Sequence, residues 1–337
     1  MTVYFDKENY ISYLSNSDKS QKYIDTLRMI KNQLKVHLNF LLSDLDDDEF
    51  ALHTEFEEGV SIDFKLTRDM DKVKRPLKKD SFPSNSGIYL LNDNENVPKI
   101  KSLHTILIGS INEEVEILNK IIINVDYSFH WEKNIGKEIT PSTHLNLMNL
   151  PFSTLVIIDR YMFKGPDPGG NIGLYEYNID KILRNIFNTK NGYSKVVLIY
   201  QVNVKVKIDN PSYDEGPDIS KLTSKIKKVV SKHCPAPVVL FIGVPSGFIK
   251  DEHDRYILSN YIRIKSGDSL VYFDSSGETK TNSNAADFYS LGFRQYRVQN
   301  EQLVDKVNKI AEGVLNGNNK YSSVPSGTNL SKIIDFN

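Results

Sequence analysis

Cysteine is nearly absent from this sequence of 337 residues, with Cys234 as the single one. A disulfide framework and a cysteine-rich metal site are therefore excluded. Long apolar runs are also missing, since none reaches the roughly 18 residues that a membrane-spanning helix needs. The opening residues MTVYFDKENY hold neither the basic nor the apolar stretch of a signal peptide. From these absences we expect a cytoplasmic protein without a transmembrane segment.

An excess of charge of either sign is lacking as well, because 42 Lys and Arg residues balance 43 Asp and Glu residues. The chain as a whole is therefore not a polyanion-coating protein, although this balance allows a local basic patch. The 7 histidines show no spacing typical of a zinc site, and neither a P-loop nor a nucleophile elbow occurs. We accordingly expect no metal and no cofactor.

The first part of the chain, residues 1–145, predicts an α+β domain whose role the sequence does not indicate. Residues 20–42 repeat apolar side chains every three to four positions, which is typical of an amphipathic helix. The acidic stretch SDLDDDEF that follows is expected to end this helix and to lie in solvent. The other predicted elements of this part are strands at 59–66, 86–91 and 101–111 and a short helix at 112–123.

Residues 150–315 alternate regularly between apolar runs that are typical of strands and amphipathic stretches that are typical of helices. The strands are predicted at 153–163, 195–204, 237–244, 253–264 and 269–274, and the helices at 177–188, 218–233 and 300–315. This order indicates an α/β domain in which helices cover a mixed sheet. Residues 316–337 are rich in Gly, Asn and Ser and predict a flexible tail.

Polar side chains stand where ligands usually bind in such a sheet, at the carboxyl ends of its strands. Asp159 and Arg160 lie toward the carboxyl end of the first strand of the second domain, and His253 and Arg255 begin the strand that comes after the third. Residues two apart in a strand share one face. A histidine and a guanidinium on one face have the charge and the geometry to bind a phosphate group. An alternative is that Asp159 and Arg255 form an ordinary ion pair that fixes a loop.

This succession of strands and helices, ending in HDRYILSN, resembles the phospholipase D-like superfamily. The signature of that superfamily is His-x-Lys, then four residues, then Asp. Here His253 takes the place of the histidine, Arg255 that of the lysine and Asn260 that of the aspartate. The tripeptide HDR is also similar to the motif of the diverged phospholipase D-like domain at the C-terminus of some microtubule-interacting-and-trafficking proteins. That domain is regarded as a binding module.

In the active family the histidine attacks phosphorus and the basic partner holds the non-bridging oxygens. The resemblance therefore implies His253 as a nucleophile, Arg255 as a phosphate clamp and no metal. It further implies a homodimer, because two motifs usually meet in one site and this chain shows one. Asn260 in place of an aspartate removes the carboxylate that would orient the histidine, which argues against turnover. Ser269 and Lys280 are weaker candidates for further phosphate contacts.

The predicted helix at 218–233 is unusually rich in lysine, and its apolar residues would face the sheet. Lys225 and Lys228 are the candidates that it offers for binding nucleic acid or an anionic membrane. A solvated helix face without a partner explains the same pattern, and no aromatic residues are interleaved for stacking on single strands.

Three functions from different classes remain open on the sequence. The first is recognition of a phosphodiester or phosphorylated partner, such as nucleic acid, with His253 and Arg255 at the centre and Asp159 and Arg160 beside them. The second is a metal-independent phosphodiesterase that acts as a homodimer through His253. The third is a scaffold or interaction protein of a bacterial defence or mobile-element system, a setting that rests on analogy alone.

Overall fold

The structure of the chain is a computed structural model, and it describes about half of the residues. The described residues are 2–15, 21, 24, 30, 34–38, 40–58, 87–90, 106–108, 126–131, 154–160, 162, 172–186, 195–202, 219–233, 238–245, 255–267, 270, 284–317 and 321–336. They belong to two compact units, Met1–Val125 with Ser290–Val298, and Asp126–Tyr289 with Gln299–Phe336. Both combine sheet and helix, so the predicted mixture of strands and helices is confirmed.

The first unit contains a four-stranded sheet in the order β2-β1-β3-β4. Its strands are β1 (Thr2–Phe5), β2 (Lys35–Leu38), β3 (Ile88–Leu90) and β4 (Ile106–Ile108). Every neighbouring pair is parallel. Parallel strands require crossover connections, which are typical of α/β arrangements. The described helices of this unit are α1 (Lys7–Leu14) and α2 (Asp47–Glu58), with a 3₁₀ turn at Leu42–Asp44.

The predicted helix at 20–42 is wrong at its carboxyl end, where Lys35–Leu38 form β2. Leu34, Val36 and Leu38 satisfy a strand period of two, and all three are buried. Pairing with β1 also satisfies backbone groups that β1 would otherwise leave open. Tertiary pairing therefore overrides a helical apolar repeat. Gln21, Ile24 and Ile30 are helical, as predicted.

The acidic stretch after residue 42 begins a helix and does not simply end one. Asp46 and Glu49 form reciprocal hydrogen bonds, each carboxylate accepting from the backbone N–H of the other residue at 2.9 Å. This is a capping box at the start of α2. Asp47 and Asp48 lie in its first turn, where the helix dipole favours negative charge.

A row of rings crosses one face of the parallel sheet. Tyr4 stacks on Tyr89 with centroids 4.2 Å apart, and His37 lies 5.0 Å away on the other side of Tyr4. The row follows the strand register, in which Tyr4 is matched with both His37 and Tyr89. Gly87, just before β3, leaves the space that the Tyr4 ring occupies. A Cβ atom there would lie 2.6 Å from Cε2 of Tyr4 and 2.9 Å from the backbone oxygen of Thr2.

We expect Gly87→Ala to lower the free energy of unfolding by about 1 to 3 kcal/mol, since a buried ring and a backbone oxygen must shift. Gly313 is the matched control, because a Cβ there meets nothing within 4 Å. Gly313→Ala lies within a helix and should instead stabilise by up to about 1 kcal/mol. Urea denaturation followed by circular dichroism measures both changes. Equal stability of the two variants would contradict the packing described for Gly87.

The second unit contains a seven-stranded mixed sheet in the order β5-β11-β10-β9-β6-β7-β8. Its strands are β5 (Asp126–Trp131), β6 (Thr154–Ile158), β7 (Lys195–Val202), β8 (Val238–Pro245), β9 (Arg255–Leu258), β10 (Ile262–Ser266) and β11 (Asn284–Ser290). Strands β6, β7 and β8 are parallel, whereas β9 is antiparallel to both β6 and β10. Strand β5 also belongs here, although we had placed its residues in the first domain.

The predicted bent strand at 253–264 is a hairpin of β9 and β10. Ser259 closes its two-residue turn, because its hydroxyl accepts the backbone N–H groups of Tyr261 at 3.2 Å and Ile262 at 3.1 Å. A serine that satisfies backbone donors in this way favours a turn over a continuous strand. The turn itself is buried, with Tyr261 1% exposed.

Three described helices accompany this sheet, α3 (Ile172–Ile186), α4 (Ile219–His233) and α5 (Arg294–Asn316). Val307, Ala311 and Val314 of α5 pack in one apolar cluster with residues of β6 to β9. The buried residues of α3 and α4 lie outside that cluster. Helices α3 and α4 are the crossovers of consecutive parallel strands, which places them together on the other face. None of the described helices is long and apolar enough to cross a membrane.

The prediction of a flexible tail is wrong for residues 321–336, which pack against the sheet. Ser323 exchanges two backbone hydrogen bonds of 2.9 Å with Phe241 on the outer edge of β8. The Asn308 side chain accepts from the backbone N–H of Ile334 at 2.8 Å and donates to its carbonyl at 3.0 Å. Ile333 and Ile334 are 0% and 2% exposed. Two buried isoleucines outweigh the Gly-, Asn- and Ser-rich composition that suggested disorder.

Candidate functional site

The carboxyl ends of β6, β7 and β8 meet at one edge of the second sheet, because these strands are parallel. Strand β9 begins and β10 ends at the same edge, since Ser266 is matched with Arg255. Asp159 and Arg255 each stand one position beyond the last matched pair of β6 and β9, Ile158 with Tyr256. The edge therefore brings Asp159, Arg160 and Arg255 together, as their positions at strand ends predicted.

Asp159 and Arg255 form a buried polar cluster with the backbone of Gly267 and Leu270. The Arg255 guanidinium donates from Nη1 to the Gly267 carbonyl at 2.6 Å, and its Nε lies 3.9 Å from Oδ1 of Asp159. The other carboxylate oxygen of Asp159 accepts the backbone N–H of Leu270 at 2.8 Å. Asp159 is 1% exposed and Arg255 is 9% exposed. We call these four residues the Arg255 cluster.

The Arg255 cluster ties the end of β6 to the start of β9 and to the chain that follows β10. A carboxylate this deeply buried is stabilised by its hydrogen bond and by a nearby opposite charge. The ion pair between Asp159 and Arg255 that we considered as an alternative is thus present. Because one terminal nitrogen of Arg255 already binds a carbonyl, the guanidinium does not offer its whole fork to an outside phosphate.

Arg160 is partly exposed and extends toward the neighbouring parallel strand. Its Nε donates to Oε1 of Gln201 at 3.1 Å, and its backbone carbonyl accepts from the N–H of Gln201 at 3.4 Å. Arg160 therefore fixes the ends of β6 and β7 side by side. Unlike Arg255, it lies at the surface of this edge.

Asn260 does not lie beside Arg255. It occupies the hairpin turn, five residues farther along the chain and at the opposite end of β9. At a rise of about 3.3 Å per residue, the two Cα atoms are separated by about 16 Å. The spacing in the sequence fits the motif, but the extended conformation of β9 places these two residues at its opposite ends. His253, Ser269 and Lys280, the other members of the predicted set, lie outside the described residues.

Helix α4 buries one apolar stripe and exposes a basic face, as predicted. Its buried side chains include Leu222, Ile226, Val229 and Val230. The fifteen residues Ile219–His233 contain five lysines and no Asp or Glu. Lys227 and Lys228 are exposed, and within the described part of the chain neither forms an ion pair.

Two carboxylates of α3 lie along the basic face of α4. Oε2 of Glu176 is 3.9 Å from Nζ of Lys225, and Oδ1 of Asp180 is 3.6 Å from Nζ of Lys232. The same oxygen of Asp180 is 2.8 Å from Nε2 of the buried His233. The sequence did not point to this pairing, because it depends on α3 and α4 being neighbours.

Two further polar arrangements were not foreseen. In the second unit the Arg263 guanidinium lies over the Tyr289 ring, 4.6 Å from its centroid, and Nη2 donates to Gln299 at 2.9 Å. In the first unit the Tyr10 hydroxyl and Nδ1 of the buried His53 form a hydrogen bond of 2.8 Å. The cation–π contact and the hydrogen bond between histidine and tyrosine each join residues that are far apart in the sequence, so no local sequence pattern predicts them.

Among the residues that the structure describes, no three His, Cys, Asp or Glu side chains come together as metal ligands. No known protein family matches the chain, and no curated protein is significantly similar to it.

Proposed function

We propose that this protein recognises a phosphodiester polyanion, such as a nucleic acid, without cleaving it. The observation that carries the proposal is α4, whose fifteen residues bear five lysines and no carboxylate. When lysines of such a surface neutralise phosphates, the counterions condensed on the nucleic acid are released. This release drives association independently of the nucleotide sequence. Helix α5, on the other face of the sheet, is the contrast, since its charges are of mixed sign.

The length of the basic face suits an extended ligand. Fifteen helical residues span about 22 Å at about 1.5 Å per residue. The lysines are held in place by the buried apolar stripe of the same helix. A row of cations along one helix matches the repeating charge of a nucleic-acid backbone better than it matches a single phosphate.

The resemblance to a diverged phospholipase D-like binding domain is part of this proposal. Arg255, the proposed counterpart of the catalytic lysine, is buried and bonded to Gly267. Asn260, the proposed counterpart of the aspartate, lies at the other end of β9. Both observations support recognition over turnover, and they move the proposed binding surface from the His253 motif to α4.

Lys227 and Lys228 provide the direct test. The double variant Lys227→Ala/Lys228→Ala should bind a fluorescent 20-base-pair duplex about tenfold more weakly at low salt, because two phosphate contacts are lost. The slope of log K against log salt should become shallower by about 1.8. Fluorescence anisotropy across a salt series measures both quantities. The control is Lys309→Ala, which removes an exposed lysine from α5.

If the double variant and the control bind alike, α4 is not the binding surface. The same assay in EDTA should show no cleavage of single- or double-stranded DNA or RNA. Cleavage that disappears in His253→Ala would instead establish the metal-independent phosphodiesterase. Absence of both binding and cleavage would favour the third function, a scaffold or interaction protein. The buried Arg255 cluster is compatible with that function.

A further inference from the structure

Two carboxylates of α3, those of Glu176 and Asp180, lie close to lysines of α4 that would bind a polyanion. We infer that Glu176 and Asp180 are internal competitors for the lysines of α4, and that they restrict binding to duplex nucleic acid. This inference rests on the proposed function and specifies its partner. It assigns a role to two acidic residues that a simple basic patch would not need.

The geometry of these pairs is that of contacts that can be exchanged. The distances of 3.9 Å for Lys225 with Glu176 and 3.6 Å for Lys232 with Asp180 are longer than hydrogen bonds. The lysine side chains are 42% and 56% exposed. Exposed pairs of this kind are weak and are screened by salt. An incoming phosphate can therefore replace either carboxylate as the partner of its lysine.

Asp180 is held in position even when Lys232 is released. Its Oδ1 is also 2.8 Å from Nε2 of His233, whose side chain is 7% exposed. The carboxylate is consequently a fixed negative charge beside the binding surface, at a side-chain exposure of 15%. An isolated phosphate that binds one lysine is repelled by the carboxylate of Asp180. A polyanion is repelled as well, but it binds several lysines at once.

The spacing of the lysines favours a duplex over a single strand. Lys225, Lys228 and Lys232 follow one another by three and four positions, so they lie on one side of α4. The helix contains no Phe, Tyr or Trp on which unpaired bases could stack. The contact is thus with the phosphate backbone alone, and the denser backbone charge of duplex DNA makes the larger contribution.

The test uses the full chain and three variants. Glu176→Gln and Asp180→Asn should each bind a 20-base-pair duplex about two- to fivefold more tightly at low salt, the range expected for one exposed ion pair. Each salt slope should steepen by up to about 0.9 as one more lysine becomes available. Glu301→Gln on α5 is the control, since it changes the net charge equally and should bind like the wild type. Inorganic phosphate at millimolar concentration should not displace the duplex from the wild type.

The outcomes separate this inference from the function on which it rests. If the wild type binds duplex and all three variants bind equally, the competitor role is overturned while the proposed function stands. Tighter binding of a single strand than of a duplex would overturn the assigned partner. If the wild type binds no nucleic acid, both the function and the inference fail. The circular dichroism spectrum of Glu176→Gln, whose side chain is 31% exposed, should match that of the wild type and so exclude a change of fold as the cause.

Discussion

Replacing Ile333 and Ile334 together by alanine should lower the free energy of unfolding by at least about 4 kcal/mol, since one buried isoleucine typically contributes about 2 to 5 kcal/mol. Both side chains are essentially inaccessible, at 0% and 2% exposure, and both belong to the apolar cluster beneath α5. A loss of this size is a large part of the roughly 5 to 15 kcal/mol that stabilises a typical domain.

The polar contacts of the same segment explain why these isoleucines are held in register. The Asn308 amide binds both backbone groups of Ile334, and the Thr154 hydroxyl donates to the carbonyl of Asp335 at 3.1 Å. Asp335 also interacts electrostatically with Lys195, whose pKa is lowered mainly by burial and is partly restored by that carboxylate. The segment is therefore fixed at several points along its length and not by its isoleucines alone.

The outer edge of β8 depends on this segment as well. Ser323 binds Phe241 through the backbone, and the Ser322 hydroxyl accepts the N–H of Gly243 at 3.1 Å. The Tyr200 hydroxyl donates to the carbonyl of Tyr321, and burial raises the pKa of that phenol. An uncovered edge strand is a template for association with other chains. The isoleucine variant should therefore also self-associate.

Thermal and urea denaturation measure the loss of stability, and size-exclusion chromatography with light scattering measures the association. Lys332→Ala is the matched control, because this exposed side chain stands directly before Ile333. It should change the free energy of unfolding by less than about 0.5 kcal/mol. An isoleucine variant as stable as this control would show that the segment is not packed in solution.

The parallel core of the second sheet could be predicted because its strands are buried on both faces. Such strands appear as nearly continuous apolar runs, and predicted and observed bounds agree within a few residues for β6, β7 and β8. Helix α4 was predicted almost residue for residue, since its apolar period and its lysines mark opposite faces. Strand β1 and helix α1 were missed, because short elements at the start of a chain leave little periodicity to detect.

The candidate site was predictable only where strand ends determine it. The order of strands predicted that Asp159 and Arg255 would meet, and they do. The motif spacing did not predict where Asn260 would lie, because β9 is extended and carries Asn260 to the end of the strand that is remote from Arg255. The pairing of Glu176 with Lys225 required the neighbouring positions of α3 and α4, which the sequence did not supply.

The Arg255 cluster leads to the second large effect. Asp159→Ala should lower the free energy of unfolding by about 3 to 5 kcal/mol, because it removes one partner of a buried ion pair. It also removes the acceptor that the backbone N–H of Leu270 now has. Asp159→Asn keeps an oxygen for that N–H and should be less damaging. Urea denaturation of both variants separates the contribution of the charge to the free energy of unfolding from that of the hydrogen bond.

Arg255→Met and the double variant Asp159→Asn/Arg255→Met then decide what Arg255 does. If the guanidinium is structural, the double variant should be more stable than the sum of the single losses predicts, by about 1 kcal/mol or more. If destabilisation of the single variants weakens their binding of the 20-base-pair duplex, the affinity of the double variant should equal that of the wild type. A double variant that regains stability but not affinity would show that Arg255 binds phosphate. That result would return the binding site to the edge where β9 begins, since α4 carries the same lysines in every one of these variants.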